Sequence, residues 1–319
     1  MYNIGVDVGG TNIAAGLVDE KFNIKSRISV KTDLPITKES FCDKIINLIN
    51  NILSTEKISL KDINNIGIGV PGTVNTQTGV AEYLANLGFE NWDIKAMLSN
   101  RMNKEVRIEN DANAAAYGEY IAGAARGYDM SITVTLGTGV GCGIIVNGKV
   151  YRGCNYNAAE VGHMVIAIGG KRCNCGRNGC WEAYASIRGL VDITKTILVN
   201  EDKSKQSIIW QLINDDIKNI GGRTAFKAMD LGDELGKKIV NTYTDYIGCG
   251  ITNLINIFQP SVICIGGGIS REGDKLIDPI KQYVKREIYS RHSNIQTNIC
   301  RASLCNDAGI IGAAFLDRL

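Results

Sequence analysis

Prolines and histidines are scarce in this chain, with four of the former and two of the latter in 319 residues. So few prolines exclude long proline-rich linkers, and no low-complexity segment takes their place. An excess of one charge is lacking too. Lys and Arg number 35 against 33 Asp and Glu, the formal net charge is +2, and no basic run suggests nucleic acid as a partner. No apolar run is long enough for a membrane span. The opening MYNIGVDVGG enters a strand at once, without the charged and then apolar stretch of a secretory signal. Ten cysteines are present, but their spacing shows no disulfide framework, which points to a reducing cytoplasm. What remains is the composition of a soluble globular protein, 45% hydrophobic and 21% charged, long enough to call for two lobes.

The densest chemistry lies in EVGHMVIAIGGKRCNCGRNGCWE. Cys173, Cys175 and Cys180 fall within eight positions, Gly176 and Gly179 allow tight turns, and the chain's other histidine besides His163 is His292. Three thiolates and one imidazole suit a tetrahedral zinc ion, and four protein ligands close the site to water, which makes it structural. The alternatives are disulfide bonding or buried free thiols; Cys173 and Cys175 are too close to bridge each other easily. Glu160 stands three residues before His163 and Glu182 two after Cys180. Folding the loop on a metal would fix both carboxylates in space.

Two strand–glycine turn–strand units, near residues 4–18 and 132–146, form a weak internal repeat, one per lobe. Between them the pattern predicts a helix over 39–53, with Phe41, Ile45, Leu48, Ile49 and Ile52 at helical spacing. It also predicts a strand over 66–70, a helix near 94–101, a strand over 106–109 and an Ala-rich helix over 112–120. Asn147-Gly148 signals a hairpin. A largely helical stretch follows from about 186 to 257, then a strand over 261–265, a helix over 280–289 with Pro279 in its first turn, and a closing helix over 307–316. The crossover between lobes is expected near 112–125, and the last helix is expected to return to the first lobe.

Five strings carry candidate chemistry. In Asp7-Val8-Gly9-Gly10-Thr11-Asn12 the glycines let backbone amides approach phosphate oxygens, Thr11 can donate, and Asp7 can hold magnesium through water; a plain hairpin turn is the alternative. Gly137-Thr138-Gly139 offers the same cradle. It is not a dinucleotide fingerprint, because a strand follows it rather than a helix. Asp111, where a strand hands over to a helix, can take a proton from a sugar hydroxyl, or serve merely as the helix cap. Its neighbour Asn110 can both donate to and accept from sugar hydroxyls. Glu160, His163 and Glu182 can grip vicinal hydroxyls, or be a solvated pair beside a structural metal. Gly266-Gly267-Gly268 can let an adenine or ribose pack flat on backbone, or be a turn. Gly72 and Asn86 are weaker candidates for the sugar pocket, and His292 reads as a surface residue.

Together and in this order, DVGGTN, GVPGTVN, ENDANAAAYGE, LGTGVGCGIIVNG, AEVGH, CNCGRNGCWEAYAS and CIGGGIS resemble the ROK family of sugar kinases and repressors, from residue 4 to about 316. The resemblance implies an α/β, two-lobed actin/hexokinase-like (ribonuclease-H-like) ATPase fold with a central nucleotide/sugar cleft. One lobe would be 1–118 plus about 303–319, and the other 119–302 with the zinc-binding loop. It puts the catalytic base on Asp111, sugar contacts on Asn110, Glu160, His163 and Glu182, and zinc ligands on His163, Cys173, Cys175 and Cys180. It also implies a homodimer or homotetramer. Repressors of the family carry a winged-helix domain before the first glycine turn, which here begins at residue 9. A sugar-responsive regulator without catalysis is the remoter alternative, and an intact Asp111 argues against it. The expectation is therefore a cytoplasmic ATP- and magnesium-dependent hexose kinase that makes glucose 6-phosphate. A kinase for N-acetylmannosamine or N-acetylglucosamine is the alternative, and the phosphoryl donor is open between ATP and polyphosphate.

Overall fold

The computed structural model describes residues 1–84, 87–201 and 206–319. A meander comes first: β1 (Tyr2–Val8), β2 (Asn12–Asp19) and β3 (Ile24–Lys31). Helix α1 (Lys38–Glu56) is capped by Thr37, whose side chain accepts from the Ser40 amide. Its buried positions include the five apolar residues that the helical spacing picks out. Strand β4 (Ile63–Val70) leads into three short strands that the sequence pattern does not predict: β5 (Thr73–Asn75), β6 (Val80–Leu84) and β7 (Phe89–Trp92). Helix α2 (Ile94–Met102), β8 (Val106–Asn110) and α3 (Asp111–Ala122) follow.

Next come β9 (Met130–Leu136), β10 (Val140–Val146) and β11 (Lys149–Val150). The helices α4 (Glu182–Ala185), α5 (Ile187–Asn200), α6 (Ile209–Leu212), α7 (Thr224–Asp230) and α8 (Glu234–Phe258) precede β12 (Val262–Gly266). The described chain closes with α9 (Asp274–Glu287), β13 (Asn298–Arg301) and α10 (Ala308–Ala314). None of the described helices is long and apolar enough to cross a membrane.

Helix α9 corrects one expectation. It starts at Asp274, so Pro279 is its sixth residue and lies inside it, not in its first turn. A proline there forfeits one backbone hydrogen bond, which the buried stripe of Leu276, Ile277, Ile280 and Val284 offsets.

The chain forms two compact units: Met1–Thr133 with Gly143–Ala159 and Ala302–Leu319, and Val134–Cys142 with Glu160–Arg301. The first unit holds a five-stranded sheet of order β3–β2–β1–β4–β8, with β1 antiparallel to β2 and parallel to β4, and β4 parallel to β8. Helix α10 lies close on this sheet and on α3. A Cβ at Gly67 would come 1.9 Å from the Ala313 carbonyl oxygen, and one at Gly312 would come 1.7 Å from that of Ala114. Only side-chain-free residues permit that approach. Phe41, Phe89 and Trp92 meet edge to face in the same unit and tie the β5–β6–β7 sheet to α1.

A second five-stranded sheet has the order β11–β10–β9–β12–β13, with β12 parallel to β13 from Val262↔Asn298 to Ile265↔Arg301. In the second unit α8 buries Ile239, Val240, Tyr243, Ile247, Ile251, Leu254 and Ile255 along one face. The Tyr243 hydroxyl donates to the Ala185 carbonyl at 2.8 Å, and the Trp181 indole donates to that of Tyr246 at 2.8 Å. These two bonds pin the segment after the cysteine loop onto the long helix.

Candidate functional site

Strand β8 pairs with β4 as far as Val70↔Asn110, and α3 begins at the next residue. Asn110, in extended conformation, is the helix cap: its Oδ1 accepts from the Asn113 amide at 3.0 Å. The cap role considered for Asp111 thus belongs to its neighbour. Asp111 is the first helical residue, and its Oδ1 accepts from the Ala112 amide at 2.8 Å. The Asn110 side-chain amide donates to the Gly72 carbonyl at 3.0 Å. Gly72 has φ +110°, and a Cβ there would lie 2.2 Å from the Tyr83 carbonyl oxygen, so the fold itself demands glycine at that position.

Asp7, near the end of β1, is charge-coupled to Asp111. Burial first, and the Asp111 carboxylate second, push the Asp7 carboxyl up to about 7, while the Arg27 guanidinium opposes them. A half-buried carboxylate crowded by a second one suits a hard divalent cation.

Two residues of this junction were not anticipated. Glu109 is 2% exposed, and its carboxylate accepts from the Asn110 amide, the Asn113 side chain and Arg152. Glu109 stands in the ENDANA string, but no local signal in the sequence links it to Arg152.

The first glycine turn closes with the Gly9 amide donating to the Asn12 carbonyl at 2.9 Å and the Thr32 hydroxyl donating to the Gly9 carbonyl at 3.0 Å. Gly10, Thr11 and Asn12 are exposed. A Cβ at Gly10 would meet no atom within 4 Å, and the same holds for Gly137. The protein's own packing requires glycine at neither position, which leaves room for a ligand against the backbone. Gly139 differs: a Cβ there would come 2.4 Å from Glu182 Oε2, the atom that accepts from the Val140 amide at 3.0 Å. Glu182 is therefore fastened to the second glycine turn as well as standing beside the cysteine loop, where the Cys173 thiol donates to its Oε1 at 3.7 Å. Gly267, at φ +82°, packs on Leu136, where a Cβ would lie 2.2 Å from the carbonyl oxygen. Gly266 ends β12, and Gly268 faces Ile187.

His163, Cys173, Cys175 and Cys180 converge, with one ligand atom of each lying within 4.8 Å of all the others. Cys175 Sγ and Cys180 Sγ are 3.6 Å apart, and Cys173 Sγ is 3.8 Å from His163 Nδ1. Sulfur ligands at about 2.3 Å from a tetrahedral ion would stand about 3.8 Å apart, so the four side chains can hold a metal ion. None of the ten cysteines is in a disulfide. Burial pushes Cys173 up to about 12 and raises Cys180, whereas the Arg177 amide pulls Cys175 down. Two of the three thiols need a cation beside them to become thiolates. The loop is bent into place by isolated bridges Val165↔Cys180 and Arg172↔Asn178, with Gly176 and Gly179 at positive φ.

The other nitrogen of His163, Nε2, lies 4.0 Å from Glu160 Oε2. Partial desolvation raises the Glu160 carboxyl, although its side chain stays 49% exposed; His163 opposes the rise and Glu182 adds to it. Of the remaining candidates, His292 is exposed and Asn86 lies outside the described residues.

A profile of the ROK family matches residues 3–318. A glucokinase of Streptomyces coelicolor is 37% identical over 99% of this chain and 97% of its own. The crystal structure of a ROK family glucokinase from Streptomyces griseus, in complex with glucose and AMPPNP, superposes with a TM-score of 0.85 at 35% identity, covering 99% of both chains. A xylose repressor of Bacillus subtilis is 31% identical over 98% of this chain, which spans 75% of that protein. The fold is the actin/hexokinase-like α/β fold that the motifs imply.

Proposed function

The chain belongs to the ROK family, and from that premise we propose that it is an ATP-dependent hexokinase acting on glucose, a glucokinase. The placement of Asp111 carries the reading: a carboxylate at a strand end, beside the capped and hydrogen-bonded Asn110 and coupled to Asp7. The preference for glucose follows the glucokinases that the chain resembles over its whole length.

In the proposed reaction Asp111 accepts the proton of the glucose 6-hydroxyl. The O6–H bond breaks, the O6–phosphorus bond to the γ-phosphoryl group forms, and ADP departs with the bridging oxygen. The glycine turns at Gly9-Gly10 and Gly137-Thr138-Gly139, with the side chains of Thr11, Asn12 and Thr138, cradle the phosphates. Gly266, Gly267 and Gly268 take the base and ribose. Asn110, Glu160, His163 and Glu182 hold the other sugar hydroxyls, with Gly72 bonded to Asn110. Asp7 would hold magnesium, which neutralises phosphate charge when bound. His163, Cys173, Cys175 and Cys180 would hold zinc, which fixes the loop that carries Glu160 and Glu182. The proposal extends to a cytoplasmic homodimer or homotetramer, which analytical ultracentrifugation of the purified protein checks.

The decisive experiment measures kcat/KM with magnesium and ATP across glucose, mannose, N-acetylglucosamine and N-acetylmannosamine, with a polyphosphate arm. Glucose with ATP should exceed every other pairing at least about tenfold. Faster turnover of either N-acetylhexosamine would replace glucose by that sugar. No transfer to any sugar would remove the kinase reading.

A further inference from the structure

We propose that Arg152 and Glu109 are a positioning pair that sets the attitude of the catalytic aspartate. The proposal rests on the reading of Asp111 as the proton acceptor. Glu109 is 2% exposed, so its carboxylate must be satisfied from within the protein. Its two oxygens are spent on different tasks. Oε1 accepts from the Asn110 amide at 3.0 Å and from the Asn113 side chain at 3.1 Å. Oε2 accepts from Arg152 Nε at 2.8 Å and Nη2 at 2.7 Å. One end of the carboxylate therefore grips the strand–helix junction on both sides of Asp111, and the other end is gripped by a residue 43 positions away in sequence.

The residue types are those this task requires. Glutamine could accept at one end only, because its amide nitrogen would face either the Asn110 N–H or the arginine donors. Lysine at 152 would supply a single point charge in place of two fixed N–H groups on one oxygen. A buried ion pair is weak evidence of added stability, since desolvating both charges offsets most of their attraction. Geometry is the better account. Asn110 is already held through its side-chain oxygen to Asn113 and its side-chain amide to Gly72, and Glu109 adds the backbone amide as a third point. Asp111 is the next residue, so a shift of the junction moves its carboxylate directly.

The test compares Arg152→Met, Arg152→Lys, Glu109→Gln and the double variant with the intact wild type. Three readouts are followed: kcat, glucose binding by tryptophan fluorescence, and hydrogen exchange across residues 108–114. Arg152→Met should lower kcat about 10- to 100-fold while glucose affinity stays within about threefold, because misplacement of the base affects the transition state. Arg152→Lys should recover part of the loss, and the double variant should be no worse than Glu109→Gln, as residues acting as one unit are not additive. Exchange at 110–113 should quicken about tenfold in Arg152→Met. A kcat within twofold of wild type would overturn the proposal. So would kcat and affinity falling together in step with thermal stability. The exchange arm needs no substrate: an inactive wild type removes the kinase reading, and unchanged exchange in Arg152→Met removes the pair independently of it.

Discussion

The strand–helix junction at 109–113 and the cysteine loop at 163–182 are both built to hold carboxylates, but they do so by opposite means. At the junction the carboxylates sit in finished backbone structure. Sheet pairing runs to Asn110, the helix starts at Asp111, and a buried glutamate satisfies the amide between them. In the loop the regular pairing is reduced to two isolated bridges, and what gathers the chain is the meeting of three thiols and an imidazole. The junction is preorganised by the fold, whereas the loop gathers four side chains able to hold a metal ion with little regular pairing around them. Substitutions at the junction should change chemistry or pH response and leave the fold in place. Substitutions in the loop should change metal content and sugar affinity together.

The largest expected effect is at the junction. Asp111→Asn keeps the size of the side chain but cannot accept the hydroxyl proton, so kcat should fall about 10³-fold, within the range for loss of a general base. Glucose affinity should stay within about threefold by fluorescence titration. Turnover within tenfold of wild type would take the base role away from Asp111 and weaken the contrast at its root.

Asp7 tests the junction through pH. Its folded-state carboxyl is raised from 3.8 to about 7, so between these values the folded protein holds a proton that the unfolded chain has given up. Stability from this group is therefore present at low pH and falls as pH rises to about 7, above which the folded state bears the full cost of the partly desolvated charge. Asp7→Asn removes that cost. Denaturant unfolding without magnesium or nucleotide should show the stability difference between variant and wild type widening in favour of the variant by about 3 kcal/mol from pH 5 to pH 8. A constant difference would mean that Asp7 ionises normally.

These sites differ in how far the sequence announces them. The cysteine spacing and the glycine turns can be read directly, because their chemistry lies in residue type and short separation. The helical spacing of α1 is equally plain, since its face is buried without a break. Strand β3 escapes notice because it is a half-exposed edge carrying Lys25, Arg27 and Lys31, so that its pattern resembles a polar loop. The strands β5, β6, β7 and β13 are three to five residues long, too short for a period to assert itself. At the junction, the strand-to-helix handover at Asp111 is legible. The division of labour is not, because Asn110 and Asp111 are both good caps and only three-dimensional placement decides between them. Arg152 is invisible for a different reason: a contact across 43 residues leaves no trace in local pattern.

In the loop, Cys175→Ser should reduce bound zinc, measured by plasma mass spectrometry, from about one ion per chain to well below half. Glucose affinity should weaken about 100-fold, equivalent to about 2.7 kcal/mol, because Glu160 and Glu182 lose their common frame. The same loss should follow chelation of the wild type and reverse on adding zinc. Metal loss with unchanged affinity would show that the loop is ordered by its own backbone, and the contrast with the junction would collapse.

The smallest effect sharpens the comparison, because it probes where the loop touches regular structure. Glu182 Oε2 binds the Val140 amide at 3.0 Å, and a Cβ on Gly139 would stand 2.4 Å from that oxygen. Gly139→Ala therefore forces Glu182 to shift while leaving the four metal ligands untouched. Zinc content should stay at the wild-type level. The value of kcat/KM for glucose should fall about tenfold, the worth of one displaced hydrogen bond to a charged group. If zinc fell as well, Glu182 would be holding the loop instead of being held by it. If neither changed, the carboxylate would have settled elsewhere without consequence, and its position would have to come from the Cys173 side of the loop, where its other oxygen already lies 3.7 Å from the thiol.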